Sequence, residues 1–190
     1  MSPRQAQIPG IPGNPYTSQA QHDRALVGGD AEAFVDQLHD ACALARVAWV
    51  QRVSSHVKIT RDLGRGRVEA RLTGKSVVDV MGVLAGGRGV AIEIKHVATE
   101  RLKSGGEAAW RLPLSRLEEH QCAMLAAFDR AGGLALVLVV HAGQAFAVPW
   151  PVVAEASDAG AASLSAEQLA PHRCPPGRPY LAQFLSKGAL

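Results

Sequence analysis

Apolar residues recur at helical spacing in two segments of the chain. The first segment has such residues three or four positions apart, at Phe34, Leu38, Ala41, Cys42 and Ala45. Asp30 precedes this stripe and is a favourable N-cap residue, so we predict that a first helix begins there. The second segment opens with a capping-box sequence formed by Ser115 and Glu118, runs to about Arg130 and ends before the glycine pair 132–133. The pattern therefore predicts two amphipathic helices.

Alternating polar and apolar residues after the first helix predict a β-hairpin. Residues 49–53 have an extended pattern, and two alternating stretches follow at 56–60 and 67–72. The sequence 62–66 between these stretches contains two glycines, which is typical of a hairpin tip.

Continuous apolar runs predict the centre of a sheet. The runs 77–83 and 90–97 flank a glycine-rich turn at 86–89 and are expected to pair antiparallel. Leu134–Val140 is wholly apolar, as in a strand buried on both faces, and residues 145–148 are expected to pair beside it. The order of helices and strands predicts an α/β fold in which a mixed sheet is flanked by helices.

The distribution of prolines and large apolar residues divides the chain into three parts. Residues 1–28 are rich in proline and glutamine and are predicted to form a flexible N-terminal arm. The ordered core is predicted at 29–153, with a stalk hairpin at about 57–75. Residues 154–190 are predicted to be a C-terminal extension with short helices that begins with a linker or loop at 154–162.

The composition is that of an ordinary globular domain. Hydrophobic residues make up 47 % of the 190 residues and charged residues 19 %, and the net charge of +3 permits nucleic-acid binding without requiring it. The longest apolar run is too short to span a membrane, and residues 1–21 lack the apolar stretch of a signal peptide. Three widely spaced cysteines suggest neither a zinc site nor a disulfide framework. We therefore expect a cytoplasmic protein with no membrane partner.

Three ionisable residues interrupt the apolar strands. Asp79 lies within the run 77–83, and Glu93 and Lys95 lie within the run 90–97. Glu93 and Lys95 are two positions apart, so they share one face of a strand. Charged groups in such strands are costly to bury unless they are paired or bind a metal. Two carboxylates suit a hard cation such as Mg²⁺, which activates water for attack on phosphate, and a nearby lysine stabilises negative charge. A surface salt bridge between Glu93 and Lys95 is the alternative.

A glutamine lies on the apolar stripe of the second predicted helix. The stripe consists of Leu117, Met124, Leu125 and Phe128. Gln121 is four residues from both Leu117 and Leu125, so it is expected to face the sheet, where its amide needs a partner. A metal ligand or a metal-bound water would be such a partner, and backbone at the edge of the stripe is the alternative. His120 is one position around the helix and is interpreted as a solvated or DNA-facing side chain.

Five sequence blocks follow one another along the chain. They are Gly28 with Glu32, the sequence Asp79-Val80-Met81-Gly82-Val83, then Glu93-Ile94-Lys95, then Glu119-His120-Gln121, and finally Gly132-Gly133 before the strand Leu134–Val140. In this order they resemble the RecU-type Holliday junction resolvases, also called penicillin-binding-protein-related factor A, of the PD-(D/E)xK nuclease superfamily. The segments 164–169 and 179–181 also resemble the family, so the resemblance covers about residues 28 to 186.

The resemblance implies a restriction-endonuclease-like fold and a Mg²⁺-dependent homodimer, with Mn²⁺ as a possible substitute, that cuts two opposed strands of a four-way DNA junction. It implies that Asp79, Glu93 and Gln121 hold the metal, that Lys95 stabilises the transition state, and that Glu32 belongs to the catalytic set. Two departures stand out. Val77 replaces a threonine whose hydroxyl contributes to the family's metal site, and about His39 replaces an asparagine of the first helix.

The hairpin corresponds to the family's stalk, which projects into the junction centre, and its own charge supports DNA binding. Its six basic residues are Lys58, Arg61, Arg65, Arg67, Arg71 and Lys75. Against two acidic residues they give a local charge of +4 in a chain of net +3, which suits a phosphate-rich groove. A solvated basic loop is the alternative. The competing functions are a linear-duplex or restriction-like nuclease on the same fold and a non-catalytic junction-binding dimer.

Overall fold

The structure, a computed structural model, describes five stretches of the chain: residues 19–53, 57–64, 67–72, 77–98 and 109–185. Side chains are described in three of them: residues 32–53, 77–98 and 109–185.

A five-stranded mixed sheet lies at the centre of the fold. Its strands, in spatial order, are β1 (Ala48–Arg52), β4 (Val80–Leu84), β5 (Gly89–His96), β7 (Leu134–His141) and β8 (Gln144–Pro149). β5 and β7 run parallel, and every other neighbouring pair is antiparallel. The predicted α/β architecture with a mixed sheet flanked by helices is therefore confirmed.

Helices cover both faces of this sheet, so the sheet has two apolar cores. They are α1 (Gln19–Leu44), α2 (Glu119–Arg130), α3 (Trp150–Asp158) and the short α4 (Ala166–Leu169). Val35 and Cys42 of α1 pack against one face, with Ile92 and Leu136. The opposite face packs against α2 and α3 through residues such as Leu125 and Val153. β7 lies between the two cores, and seven of its eight residues are buried, as its wholly apolar sequence predicts.

The hairpin predicted in the basic region is confirmed as an antiparallel pair. β2 (Val57–Gly64) and β3 (Arg67–Leu72) form a two-stranded sheet of their own. The register sets Lys58 opposite Arg71 and Arg61 opposite Glu69, with two irregularities along the pair. Arg65 and Lys75 lie outside the described residues. A third small sheet joins β6 (Arg111–Pro113) to β9 (Ser163–Ser165).

The first helix begins earlier than its capping sequence predicts. α1 starts at Gln19, so the predicted start at Asp30 is wrong, and so is the predicted arm over 19–28. Six of the nine residues 19–27 are Ala, Gln, Leu or Arg, which favour a helix, but the glycine pair 28–29 before Asp30 disfavours one, so local propensity alone does not explain the extension. Residues 1–18, the rest of the predicted arm, lie outside the described residues.

The second helix begins later than predicted. Leu114–Arg116 form a 3₁₀ turn, Leu117 is extended and buried, and the α-helix starts at Glu119 with Glu118 as its N-cap. The Glu118 N–H donates to Gln121 Oε1 at 2.9 Å, so Glu118 and Gln121 form the capping box in place of the predicted Ser115 and Glu118. Burying Leu117 in the core requires an extended residue at this point, which moves the helix start by one turn.

The chain after Val153 contributes to the core. The predicted linker at 154–162 is wrong over its first half, because α3 extends to Asp158, with Pro151 in the first turn where proline suits a helix. Beyond α3, further apolar side chains are buried: Leu164, Leu169, Cys174, Tyr180 and Leu181. The short helices predicted for 154–190 are present, but the buried core continues past the predicted boundary at Val153. No helix in the described part of the chain is long and apolar enough to cross a membrane.

Gly82 allows β1 and β4 to approach closely. A Cβ atom at this position would lie 2.1 Å from the Trp49 carbonyl oxygen and 2.6 Å from Val50 Cα. Both neighbours are backbone atoms, so a side chain at residue 82 would push the two strands apart.

We predict that Gly82→Ala lowers the free energy of unfolding by about 1–3 kcal/mol, the usual cost of overpacking. Gln51→Ala, on the neighbouring strand β1, is the control, because Gln51 is exposed and its truncation should cost little. Urea denaturation of both variants measures the difference. Equal stabilities of the two variants would contradict this account of Gly82.

Candidate active site

The pairing of β4 with β5 brings Asp79 and Glu93 together. The antiparallel register sets Val80 opposite Ile92, so Asp79, one residue before β4, lies opposite Glu93. The Ile94 N–H donates to Asp79 Oδ2 at 2.8 Å, which fixes the Asp79 carboxylate against β5. Glu93 and the half-buried Asp79 are therefore neighbours on the sheet face that α2 covers.

Glu93 is a carboxylate in the core of the protein. It is only 1 % exposed, and one of its two carboxylate oxygens, Oε1, accepts two hydrogen bonds. Lys95 Nζ donates to Oε1 at 2.8 Å, and Gln121 Nε2 donates to the same atom at 2.6 Å. The pair of Glu93 and Lys95 is thus a buried ion pair rather than a salt bridge at the surface.

Gln121 joins α2 to both members of this ion pair. Its Oε1 accepts from Lys95 Nζ at 3.2 Å and from the Glu118 N–H at 2.9 Å, while its Nε2 donates to Glu93. The prediction that Gln121 faces the sheet and needs a polar partner is confirmed. In this arrangement its amide orients Glu93 and Lys95, and its assignment as a metal ligand stays a prediction.

Burial raises the pKa of Glu93 from its ordinary value of 4.5 to about 7. The hydrogen bond and the charge of Lys95 oppose this rise in pKa, and the neighbouring Asp79 carboxylate adds to it. The balance means that Lys95 alone does not compensate for the cost of a charge at this position. A proton or a cation near Glu93 lowers that cost further.

The second oxygen of Glu93 lacks a hydrogen-bond partner among the described residues. This atom, Oε2, is buried. No group of three or more His, Cys, Asp or Glu side chains within those residues is placed to hold a metal ion. Mg²⁺ is commonly held by only one or two carboxylates and completes its coordination with waters and substrate phosphates. A carboxylate oxygen without a hydrogen-bond partner, beside the second carboxylate of Asp79, fits that type of binding.

The remaining predicted residues lie around this centre at different depths. Glu32 is exposed. Burial lowers the pKa of His96, the residue after Lys95, and the charge of Glu32 opposes that lowering. Among the described residues no hydrogen bond links Glu32 to Asp79 or Glu93. Val77 is 42 % exposed, two residues before Asp79.

Two histidines occupy contrasting positions. His120 is half-buried, and its Nδ1 lies 3.5 Å from Glu118 Oε2, at the start of α2. His39 is buried on the opposite side of the sheet from the carboxylates, with its ring 5.9 Å from that of Tyr180. His39 therefore belongs to the packing of α1 rather than to the surroundings of Glu93.

One residue near the centre carries no signal in the sequence pattern. Arg116 Nη1 donates to the His96 carbonyl oxygen at 2.5 Å, which holds a cation beside the end of β5. A sequence pattern does not reveal this contact, because it depends on the 3₁₀ turn that precedes α2. The predicted DNA-binding residues of the hairpin lie in β2 and β3, apart from Arg65 and Lys75, which are outside the described residues.

Comparison of the sequence with protein-family profiles and with curated proteins gives no match.

We predict that the stability of the metal-free protein depends on pH through Glu93. Because the folded pKa is raised, the folded state binds the proton more tightly than the unfolded state. The resulting stabilisation is complete below about pH 4.5 and is lost as the pH rises to about 7. Denaturation of the wild type against Glu93→Gln should show a relative loss of roughly 3 kcal/mol between pH 4.5 and 7.5. Glu119→Gln, which removes an exposed carboxylate, is the control.

Addition of Mg²⁺ in the same experiment should stabilise the wild type at pH 7.5, have less effect at pH 5, and leave Glu93→Gln unchanged. The account holds that a proton and a cation compete for Glu93. It would be contradicted if the stabilities of the wild type and Glu93→Gln changed in parallel with pH, or if Mg²⁺ stabilised both equally.

Proposed function

We propose that the protein is a Mg²⁺-dependent DNA endonuclease of the PD-(D/E)xK type that resolves four-way junctions by paired cleavage of opposed strands. The observation that carries the proposal is the buried Glu93 carboxylate, which meets Lys95 and Gln121 through one oxygen and leaves the other without a partner. Asp79 lies beside it on the adjoining strand. Asp79, Glu93 and Lys95 are the three residues of the superfamily motif that the sequence resembles.

Each of these side chains has a proposed task. Asp79 and Glu93 hold the cation, and a bound Mg²⁺ supplies an activated water and positive charge for the phosphate oxygens. Lys95, held 2.8 Å from Glu93 Oε1, stabilises negative charge that develops on the phosphate. Gln121 keeps Glu93 and Lys95 oriented from α2. Glu32 and Gln121 remain candidates for an outer contact to the metal through water.

The basic hairpin supports a nucleic-acid substrate. Among the described residues, β2 and β3 pair with each other and with no strand of the central sheet. They carry Lys58, Arg61, Arg67 and Arg71. A separate basic hairpin suits the phosphates around a junction centre, because binding to phosphates depends on positive charge and shape.

Paired cleavage requires two sites, so the proposed active form is a homodimer. An apolar surface at the edge of the sheet supports self-association. Trp49 of β1 is 61 % exposed, and its Cα partner Val83 of β4 is 38 % exposed. Large apolar side chains that remain exposed together are typical of interaction surfaces.

We predict that the purified protein with Mg²⁺ cuts two opposed strands of a four-way junction and leaves a linear duplex of the same sequence intact. Asp79→Asn and Glu93→Gln should reduce the cleavage rate by more than about 100-fold while junction binding survives, because each removes a ligand charge with little change in volume. Lys95→Ala should reduce kcat by about 100- to 1000-fold.

Glu119→Gln and Arg130→Ala should cleave normally. Substantial cleavage by Asp79→Asn or Glu93→Gln would refute the metal site, and cleavage of duplex and junction alike would favour the linear-duplex nuclease.

We predict that the double variant Lys58→Ala/Arg71→Ala, which removes a pair of Cα partners in the hairpin, weakens junction binding more than duplex binding. The slope of log affinity against log salt should become shallower by about two. Arg130→Ala/Arg178→Ala, which removes two exposed charges elsewhere, should not change the slope. Equal losses of affinity on both DNAs would identify the hairpin as a general DNA-contacting loop.

A further inference from the structure

Arg116 is fixed at the end of the strand that carries Glu93 and Lys95. It closes the 3₁₀ turn Leu114–Arg116, two residues before the N-cap of α2. Its Nη1 donates to the carbonyl oxygen of His96, the last residue of β5. His96 is three residues beyond Glu93, which is about 10 Å along an extended strand. The guanidinium is thus held within a few nucleotides of the proposed cleavage position, since DNA advances about 3.4 Å per nucleotide along its axis.

Most hydrogen-bonding capacity of this guanidinium remains available. Arg116 is exposed, its Nη1 contacts one carbonyl, and no carboxylate in the described part of the chain forms an ion pair with it. Arg52 and Arg88, two other arginines near the sheet, have more of their donor groups engaged. Arg52 forms an ion pair with Asp36 at 3.0 Å, and Arg88 donates from two nitrogens to the Gly132 and Gly133 carbonyls.

Charges of both signs surround Arg116. Lys95, the residue before His96, is paired with Glu93 at 2.8 Å. Burial is the main cause of the lowered pKa of His96; Arg116 contributes to the lowering, and Glu32 opposes it more strongly than Arg116 contributes. The first acidic residue after Arg116 in the sequence is Glu118, and one of its carboxylate oxygens lies 3.5 Å from His120 Nδ1. Glu32 and Asp79 also act on His96, from α1 and from the residue before β4.

We propose that Arg116 binds a DNA phosphate adjacent to the cleaved one and so positions the strand against Asp79 and Glu93. The proposal rests on the proposed nuclease function. A guanidinium that one backbone carbonyl already orients can still offer two parallel N–H groups to a phosphate, and the orientation reduces the entropy lost on binding. Arg116 is therefore a positioning residue, whose effect is on DNA binding and on KM more than on the chemical step.

The test compares Arg116→Ala with Arg130→Ala. Arg130 is another exposed arginine, at the far end of α2, a helix about 18 Å long. Binding of four-way junction and duplex DNA is measured without divalent cation at several salt concentrations, and kcat and KM are measured with Mg²⁺. Arg116→Ala should lose roughly ten-fold in affinity for both DNAs, with a salt slope shallower by about one, and should raise KM with little change in kcat. Arg130→Ala should match the wild type.

Arg116→Lys separates phosphate binding from a purely structural contact. An ammonium keeps the charge but not the planar pair of donors, so the salt slope should return while the affinity recovers only in part. Thermal unfolding of all three variants should match the wild type. Identical salt slopes for Arg116→Ala and Arg130→Ala, or a loss of thermal stability without a change in slope, would overturn the proposal. Absence of cleavage by the wild type would instead refute the nuclease function. The two failures are distinguishable, because the comparison of salt slopes needs only DNA binding.

Discussion

Burial of the Glu93 carboxylate is the constraint on which the site depends. A charged oxygen in an apolar core is costly unless donors or a cation surround it, and here the donors reach only Oε1. The pKa near 7 expresses the same imbalance. The protein retains this costly arrangement at one point of an otherwise apolar sheet face, next to a second carboxylate on Asp79. The proposed divalent cation would bind both carboxylates at once and so offset the cost of burying Glu93.

The start of α2 is coupled to this carboxylate through a single amide. Gln121 accepts the Glu118 N–H to cap the helix and donates to Glu93, so one side chain sets both the helix position and the orientation of the acid. A helix that began at Ser115 would place Gln121 in the second turn, where its amide could not complete this cap. The observed start therefore follows from the polar contacts of Gln121 together with the burial of Leu117. These tertiary contacts outweigh the local preference for a helix cap at Ser115.

The sequence predicts the parts of the fold that depend on alternation and long apolar runs. The strand pairs and the shared face of Glu93 and Lys95 follow from a period of two, and Gln121 follows from the helical stripe. The starts of α1 and α2 and the extent of the core were mispredicted, because they depend on tertiary contacts. Tyr180 and Leu181 are buried by packing against α1 from a distant part of the chain, which no local pattern encodes. The anchoring of Arg116 on His96 is of the same kind, since it joins residues twenty positions apart.

The central claim is that Asp79 and Glu93 share a divalent cation. Diffraction from crystals of the protein soaked in Mn²⁺, recorded at a wavelength where manganese scatters anomalously, tests it directly. The account predicts one strong anomalous peak within coordination distance of both carboxylates, with Glu93 Oε2 among the ligands and Lys95 still beside Oε1. A structure in which manganese is absent from this position at saturating concentration, or binds elsewhere while Glu93 Oε2 keeps no partner, would contradict it.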